Sequence, residues 1–276
     1  MNSHILLAIA KKDLLEVRQN KAAWAPMIIV PLMFIFFFPL LIMVLPQLSG
    51  QAAAQMINDP DFVMMFDRLP PIIMDKIAGM DAMQSIVVMM LGYFFAPFFL
   101  IFPLMFSTTV AAESFAGERE RKTMEALLYT PASDAELFFG KMIAGLIPAL
   151  LISWISFFLY TFVLNAAGWP LFGHLWFPLV TWYPLIFWVT PALAVMGVGM
   201  TVLISSKVQT FMGAYQASAS LVIVVVGLLI GQFAGVVYLN VGVGMIIGLV
   251  AWIIAGGMVF FSYKNFNRAK LLVSST

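Results

Sequence analysis

The stretch AAESFAGERERKTMEALLYTPASDAELFFGK, residues 111–141, carries ten of the 27 charged residues in a chain of 276. Apolar segments long enough to cross a membrane lie on both sides of it. The whole chain is 63% hydrophobic and only 10% charged, whereas soluble domains have roughly 25% charged residues. The sequence therefore predicts an integral membrane protein that concentrates its charge in one connection between two spans.

Working outward from this stretch, the apolar segments predict six membrane-spanning helices, because a helix needs about 20 apolar residues to cross the hydrocarbon core. They cover approximately residues 25–45, 86–110, 141–164, 179–204, 211–233 and 241–263. We interpret 1–276 as a single all-α transmembrane domain. Pro184 and Pro191 fall inside the fourth span, where a kink is expected rather than a break.

The lysines and arginines predict the orientation of these spans. Twelve of the 14 fall on one side, and only Arg68 and Lys76 fall on the other. Cytoplasmic loops of membrane proteins are enriched in positive charge. Both termini, the tail 264–276 and the charged loop 111–140 are therefore predicted to be cytoplasmic. The net charge of +1 gives no field that would favour nucleic acid.

Two segments outside the spans are predicted to form surface helices. One arc of a helical wheel holds the apolar residues of segment 1–24, which predicts an interfacial helix: Leu6, Leu7, Ala10, Leu14 and Val17. The outer loop, 46–85, has apolar bursts typical of short helices that cap the spans. Its aspartates do not have the spacing of a calcium loop, so no metal site is predicted there.

Local signals inside the quoted stretch predict a short helix outside the membrane. Gly117 is a predicted helix break, and the sequence ERERKTMEALL after it contains strong helix formers. Glu118 and Lys122 have the spacing of an i,i+4 ion pair. Thr130 and Pro131 are expected to end this helix.

A new helix is then expected to start at a capping box, since Ser133 and Glu136 have the S-x-x-E spacing. The outcome is an amphipathic helix held between two rigid spans, which suits docking to a cytosolic protein. The same charges would also serve as a simple topology signal.

The sequence resembles the permease subunits of ABC-2-type transporters, a family that includes sodium, drug and antibiotic exporters. The resemblance rests on ESFAGERERKTMEALLYTPASDAELFFGK after span two, on the charged segment before span one, and on the six-span layout. It implies that loop 111–140 holds a coupling helix seated in a groove of an ATP-binding subunit, and that segment 1–24 is a connecting helix. The residues it assigns to ATPase coupling are Glu113, Gly117, Glu118, Arg119, Glu120, Arg121, Lys122, Thr123, Glu125, Leu127 and Leu128.

The resemblance also implies partners and a location. Two ATP-binding subunits would supply ATP and Mg²⁺, a second permease copy or a paralogue would complete the pathway, and the membrane would be a bacterial or archaeal plasma membrane. The chain itself has no phosphate-binding loop, because Gly140-Lys141 lacks the first Gly and the following Ser or Thr. It is predicted to be a transport subunit without enzymatic activity or a cofactor of its own.

Other chemistry finds little support. No charged residue is predicted to lie in the interior of a span, which argues against a carboxylate-based ion pump. Sodium export stays an alternative, with hydroxyls, amides and carbonyls as ligands. His4 and His174 are far apart in sequence, there is no cysteine, and no metal-binding or hydrolytic set is apparent.

A polar stripe in span five is one candidate for the transport pathway. Gln209, Gly213, Gln216 and Ser220 share one helical face, and such groups are costly against lipid, so the face is expected to look at protein or at a wet cavity. The resemblance implies that it lines the pathway near a dimer interface. Hydrogen bonding between helices of one subunit is the alternative.

An aromatic wall in span two is the other candidate. Phe95, Phe98, Phe99, Phe102 and Phe106 fall on one side of the helix, where they would suit a hydrophobic cargo or a dry gate. Ordinary core packing or contact with lipid is the alternative.

Glycines spaced as G-x-x-x-G occur in spans five and six. Gly227, Gly231 and Gly235 form one series, and Gly244 with Gly248 forms another. Because such glycines permit close backbone approach, spans five and six are predicted to pack as a tight hairpin.

The leading functional hypothesis is a permease that exports an amphipathic or hydrophobic substrate such as a drug, peptide antibiotic or lipid. A sodium-exporting permease is one alternative. A membrane scaffold or sensor that binds a cytosolic partner without transport is an alternative of another class.

Overall fold

A computed structural model describes residues 3–44, 46, 59–60, 63–64, 71–123, 130, 132–208 and 210–266. The predicted segments that fall elsewhere, including residues 124–129 of the charged loop and tail residues 267–276, lie outside the described residues. Every regular element in the described part is a helix, which agrees with the predicted all-α fold.

Six helices are long and apolar enough to cross a membrane, as the sequence predicts. Spans one to six are Trp24–Val44, Ala82–Glu120, Asp134–Phe172, Trp182–Ser205, Phe211–Phe233 and Val241–Asn265. Spans two and three have 39 residues each, which corresponds to roughly 58 Å of helix at about 1.5 Å per residue. A hydrocarbon core is about 30 Å thick, so both helices must project well beyond it.

Spans two and four form the centre of the bundle. Their apolar windows are 83% and 72% buried, whereas those of spans five and six are 28% and 22% buried. Span four stays helical through Pro184 and Pro191, with π-helical turns at Leu185–Val189 that accommodate the prolines. The prediction that these prolines do not break the span is therefore confirmed.

An irregular stretch of span two organises the core. Val88–Phe94 forms π-helical turns and Ala96–Leu100 a 3₁₀ turn. Pro97 lacks an N–H and the turn geometry changes the backbone pairing, so nearby carbonyls can accept side-chain donors. Three consecutive carbonyls do so: Leu91 from Tyr160 Oη at 2.9 Å, Gly92 from Trp182 Nε1 at 2.6 Å, and Tyr93 from Gln232 Nε2 at 2.9 Å. Spans three, four and five are thereby bonded to one stretch of span two.

Span six packs against span four. A Cβ atom at Gly244 would lie 3.0 Å from Pro184 Cβ, and one at Gly248 would lie 2.1 Å from Trp188 Cδ1. The Trp188 indole donates to the carbonyl of Met245 at 3.2 Å. The prediction that these glycines form a tight hairpin with span five is wrong, since the motif signals close approach without specifying the partner.

Capping boxes begin the two long spans. Ser133 accepts from Glu136 N at 3.2 Å while the Glu136 carboxylate accepts from Ser133 N at 3.0 Å, which confirms the predicted start of span three. Asp81 and Gln84 make the same arrangement before span two. In the outer loop, the predicted short helix is present at Pro71–Ile77.

The N-terminal helix, Ser3–Gln19, packs against protein. Its buried face is Leu6, Ala10, Asp13 and Val17, whereas Leu7 of the predicted apolar arc is exposed. Gly140 in span three allows the close approach, because a Cβ atom there would lie 3.0 Å from Ile9 Cβ. The apolar arc is therefore only partly correct, and the helix docks on the projecting part of span three.

Candidate functional site

Charged side chains from three helices meet at one end of the bundle, which we call the charged end. The residues come from the N-terminal helix, the end of span two and the start of span three. They form the charged cluster: Lys12, Asp13, Glu16, Glu113, Ser114, Glu118, Arg121 and Lys141. Contacts between distant parts of the sequence hold these elements together.

Span two reaches this cluster because it stays helical through Gly117. The predicted break at Gly117 is wrong. The helix ends further on, where Lys122 has a positive φ of 57°. Lys122 N bonds to Arg119 O at 3.0 Å and Thr123 N to Glu118 O at 2.9 Å, which is the pairing of a Schellman motif with lysine where glycine is usual.

Lys141 lies at the centre of the cluster, with 2% of its side chain exposed. Its ammonium group donates to Glu118 Oε2 at 2.7 Å, to Asp13 Oδ2 at 3.3 Å, and to the backbone oxygen of Ser114 at 2.7 Å. The Ser114 hydroxyl also donates to Asp13. Two carboxylates and one carbonyl therefore compensate one buried cation.

Lys12 links the same carboxylates from the other side. Its ammonium donates to Glu118 Oε1, and it lies 2.9 Å from Glu16 Oε1 and 3.4 Å from Asp13 Oδ1. Burial lowers the pKa of Lys12, but the nearby Glu118, Asp13 and Glu16 carboxylates outweigh burial, so the net pKa lies above its ordinary value. Lys12 is held in its charged form.

Arg121 forms an outer clasp over the cluster. Its guanidinium donates to Glu113 and, at 3.1 Å, to Glu16. Asn20, just after the N-terminal helix, donates to the other Glu113 oxygen at 3.0 Å. Burial lowers the pKa of Arg121, but its hydrogen bond to Glu113 and the charges of Glu113, Glu16 and Glu118 raise the pKa overall.

The carboxylates of the cluster hold the three helices together through ion pairs, and these pairs occupy the oxygens that a metal cation would need. Oxygens of Asp13, Glu16 and Glu118 lie within 4.8 Å of one another, the arrangement a divalent metal would need. The ammonium groups of Lys12 and Lys141 already face these oxygens. Removing one partner of a buried pair leaves an uncompensated charge, so the three helices are strongly constrained to stay together.

The end of span two also touches span five. The Glu120 carboxylate accepts from Phe211 N at 2.8 Å, at the first turn of span five, where negative charge favours the helix dipole. The Thr210 side chain caps the same helix through Gly213 N at 3.1 Å. A displacement of the span-two end would therefore reach span five through this contact.

The sequence-predicted coupling residues divide into buried and exposed groups. Glu113, Gly117, Glu118 and Arg119 are buried, while Glu120, Arg121, Lys122 and Thr123 are exposed. The expected i,i+4 pair of Glu118 with Lys122 is replaced by the ion pairs of Glu118 with Lys12 and Lys141. Glu125, Leu127 and Leu128 lie outside the described residues. Coupling by these residues stays a prediction.

The predicted pathway residues lie in two places. Phe95 and Phe102 are buried and Phe98 is half-buried. The Phe34 ring of span one lies 5.9, 5.2 and 5.8 Å from the rings of Phe95, Phe98 and Phe102, respectively. In this single chain, these aromatics therefore pack against span one.

In span five, Gly213 is half-buried, whereas Gln216 and Ser220 are exposed on the single chain; Gln209 lies outside the described residues. Ser220 donates to the carbonyl of Ala217 within its own helix. This polar face is thus available to a second chain or to a cavity.

Sequence reasoning missed the partners of the coupling segment. The sequence pattern places Lys12, Asp13 and Glu16 in segment 1–24 and Lys141 at the start of span three, but it predicts no contact between them. A signal was present, because Asp13 interrupts the buried i, i+4, i+7, i+11 series of Leu6, Ala10, Asp13 and Val17. An acidic residue on such a face predicts a buried cationic partner.

Comparison with known proteins agrees with this architecture. The family described as ABC-2 family transporter protein matches residues 7–273. The chain belongs to this family, and membership implies a permease subunit that associates with an ABC ATP-binding subunit. No match was found among curated proteins or solved structures.

Proposed function

We propose that the chain is the permease subunit of an ABC exporter, in which the charged end receives the movement of the ATP-binding partner. The observation that carries the proposal is that the exposed tip, Glu120 to Thr123, is attached directly to the buried charged cluster. A load applied at the tip would be shared by the N-terminal helix, span two and span three, because buried ion pairs join all three.

The assembly would contain two ATP-binding subunits and two permeases, the second being another copy or a paralogue. ATP and Mg²⁺ would bind to the partner subunits, and this chain would need no cofactor. Closure of the ATP-binding subunits would displace both tips, and spans two and three would carry that rigid-body movement into the membrane. The hydrogen bond between Glu120 and Phe211 would transmit part of this movement to span five.

The exposed polar face of span five supports a pathway between two permeases. Gln216 and Ser220 would be costly against lipid, and one chain leaves them uncovered. Two such faces would enclose a polar-lined route that Gly213 also borders. Gln209 is assigned to this route from the sequence pattern alone. Phe95, Phe98 and Phe102 would serve as a hydrophobic wall behind it, once the packing with span one loosens.

The absence of charged residues from the middle of the spans favours an amphipathic or hydrophobic substrate. The direction of transport, export, is proposed from the family resemblance. Sodium export through hydroxyls, amides and carbonyls is the second candidate. The family resemblance implies a bacterial or archaeal plasma membrane. The distribution of lysine and arginine supports an orientation with the charged end and both termini in the cytoplasm. A scaffold or sensor would use the same tip without moving a substrate.

ATP hydrolysis in lipid separates transport from a scaffold role. The permease and its ATP-binding partner are reconstituted together, and hydrolysis is measured with the wild type, with Glu125→Lys in the coupling segment, and with Asp75→Lys as a charge-reversed control in the outer helix. Transport predicts that an amphipathic substrate stimulates hydrolysis only when the permease is present, that Glu125→Lys abolishes this stimulation, and that Asp75→Lys does not. Hydrolysis that is indifferent to all three chains contradicts the proposal.

A further inference from the structure

A second polar feature at the charged end lies away from the charged cluster. Arg119 is 8% exposed and lies in span two next to Glu118, but its hydrogen bonds are to the last residue of span four and to the segment that follows it. Its Nη1 donates to the carbonyl of Ser205 at 2.5 Å and to that of Val208 at 3.4 Å. Among the residues that the structure describes, no carboxylate pairs with this guanidinium.

Donors around Arg119 are left without partners. Arg119 Nε and the hydroxyl of Ser205 are both buried and have no hydrogen-bond partner in the described chain. Ser205 is only 2% exposed. A buried guanidinium without a counter-charge is costly, and each unsatisfied buried donor adds its own desolvation cost. An anion would remove both costs.

These groups line one small pocket. It is formed by the ends of spans two, four and six, with Phe115, Ser206, Ser262 and Asn265 among its walls. Its interior volume is about 30 Å³, more than the roughly 10–15 Å³ that one water needs. The pocket would admit the oxygens of one anionic group rather than a whole lipid or nucleotide.

The position of the pocket favours a lipid headgroup as the source of that anion. Ser205 and Asn265 are the last residues of spans four and six, where a membrane helix leaves the hydrocarbon core. Lys207 and Lys264 are exposed just beside these ends and add positive potential that attracts anionic lipids. Arg is the side chain best suited to phosphate oxygens, because its planar fork can donate two parallel hydrogen bonds.

We propose that Arg119 and Ser205 form a phosphate-binding site for the headgroup of an anionic phospholipid at the charged end. One phosphate oxygen accepts a hydrogen bond from Arg119 Nε, and a second phosphate oxygen accepts one from the Ser205 hydroxyl. A bound lipid of this kind would tie span two to spans four and six. The site does not depend on transport or on an ATP-binding partner.

Native mass spectrometry of the full chain in detergent tests this site directly. The probes are phosphatidylglycerol, diacylglycerol with the same acyl chains, and inorganic phosphate. The variants are Arg119→Gln and, as the matched control, Lys76→Gln, which removes an exposed positive charge in the helix Pro71–Ile77, outside the residues that line the pocket. Arg119→Lys and Ser205→Ala give milder changes of the pocket if Arg119→Gln does not fold.

The proposal predicts one tightly retained phosphatidylglycerol. Its apparent affinity should fall about tenfold or more in Arg119→Gln, as expected for the loss of charge-assisted hydrogen bonds, and change little in Lys76→Gln. Arg119→Lys and Ser205→Ala should each weaken it by a smaller factor. If millimolar inorganic phosphate displaced the bound phosphatidylglycerol, the ligand of the site would be free phosphate. If the phosphatidylglycerol stayed bound, the ligand would be the lipid. Equal binding by wild type, Arg119→Gln and Ser205→Ala, or equal retention of diacylglycerol, would overturn the proposal.

Discussion

At the scale of single residues, Lys141 decides whether the charged cluster stabilises the protein. Its side chain is buried with Glu118 and Asp13 as partners. Because the ammonium group is buried, it loses the favourable hydration that it would have in water. Lys141 therefore stabilises the folded state only while both carboxylates are present, and the two buried carboxylates likewise need Lys141 as a partner.

Replacing Lys141 by Met should lower the free energy of unfolding by up to about 3–5 kcal/mol, because Glu118 and Asp13 would keep only the partly exposed Lys12 as a cationic partner at a buried site. The measurement is reversible unfolding of the purified chain in mixed micelles. Lys264→Met removes an exposed lysine and should change stability by about 0.5 kcal/mol or less. Adding Asp13→Asn and Glu118→Gln to Lys141→Met should restore part of the loss. Equal small effects of Lys141→Met and Lys264→Met would contradict the buried pairing.

Lys12 gives a prediction about pH. Its pKa in the folded protein is raised above the ordinary 10.5, so its protonated form stabilises the fold. That contribution is fully present below pH 10.5 and is lost only as pH rises above it. The difference in unfolding midpoint between wild type and Lys12→Gln should therefore stay constant from about pH 7 to about pH 9. If this difference became smaller between pH 7 and pH 9, the ion pairs with Glu118, Asp13 and Glu16 would not raise the pKa of Lys12 in the folded protein.

At the scale of elements, packing between spans four and six depends on glycine. A Cβ atom at Gly248 would lie 2.1 Å from Trp188 Cδ1, whereas one at Gly256 of the same helix would meet nothing within 4 Å. The indole of Trp188 is held by its hydrogen bond to Met245, so it cannot move away without losing that bond.

Gly248→Ala should therefore destabilise the protein by about 1–3 kcal/mol, the usual cost of overpacking. Gly256→Ala should leave stability unchanged or raise it by up to about 1 kcal/mol, since alanine is the better helix former. Unfolding midpoints of the two variants provide the comparison. If Gly248→Ala were as stable as Gly256→Ala, span six could not pack on span four as described.

The helices themselves were largely predictable, and their partners were not. Each span contains enough apolar residues to be recognised from length and hydropathy alone. The predicted boundaries of spans two and three were too short, because the helices continue through charged residues that pair with other helices. Asp13 and Lys141 are 128 positions apart in sequence, and no local periodicity reports such a contact. The G-x-x-x-G spacing likewise indicated close approach of span six without identifying span four.

At the scale of the whole molecule, the charged cluster turns three helices into one mechanical unit. The N-terminal helix, span two and span three are joined by buried ion pairs at the charged end, in addition to their apolar packing, and Glu120 extends the unit to span five. A permease that receives force at its exposed tip needs such a unit, because an isolated loop would absorb the displacement. The absence of cysteine from the sequence makes the chain suitable for site-specific labelling.

The most direct test is the distance between spin labels at Lys11→Cys and Leu151→Cys, two exposed positions on the N-terminal helix and span three. The labelled permease is diluted with unlabelled copies in its complex, and the distance is measured with and without a non-hydrolysable ATP analogue. We predict one narrow distance distribution that nucleotide does not change, and a broader one when Lys141→Met is added. A shift of the wild-type distance on nucleotide binding, or an unchanged distribution in the Lys141→Met variant, would contradict a rigid unit held by the charged cluster.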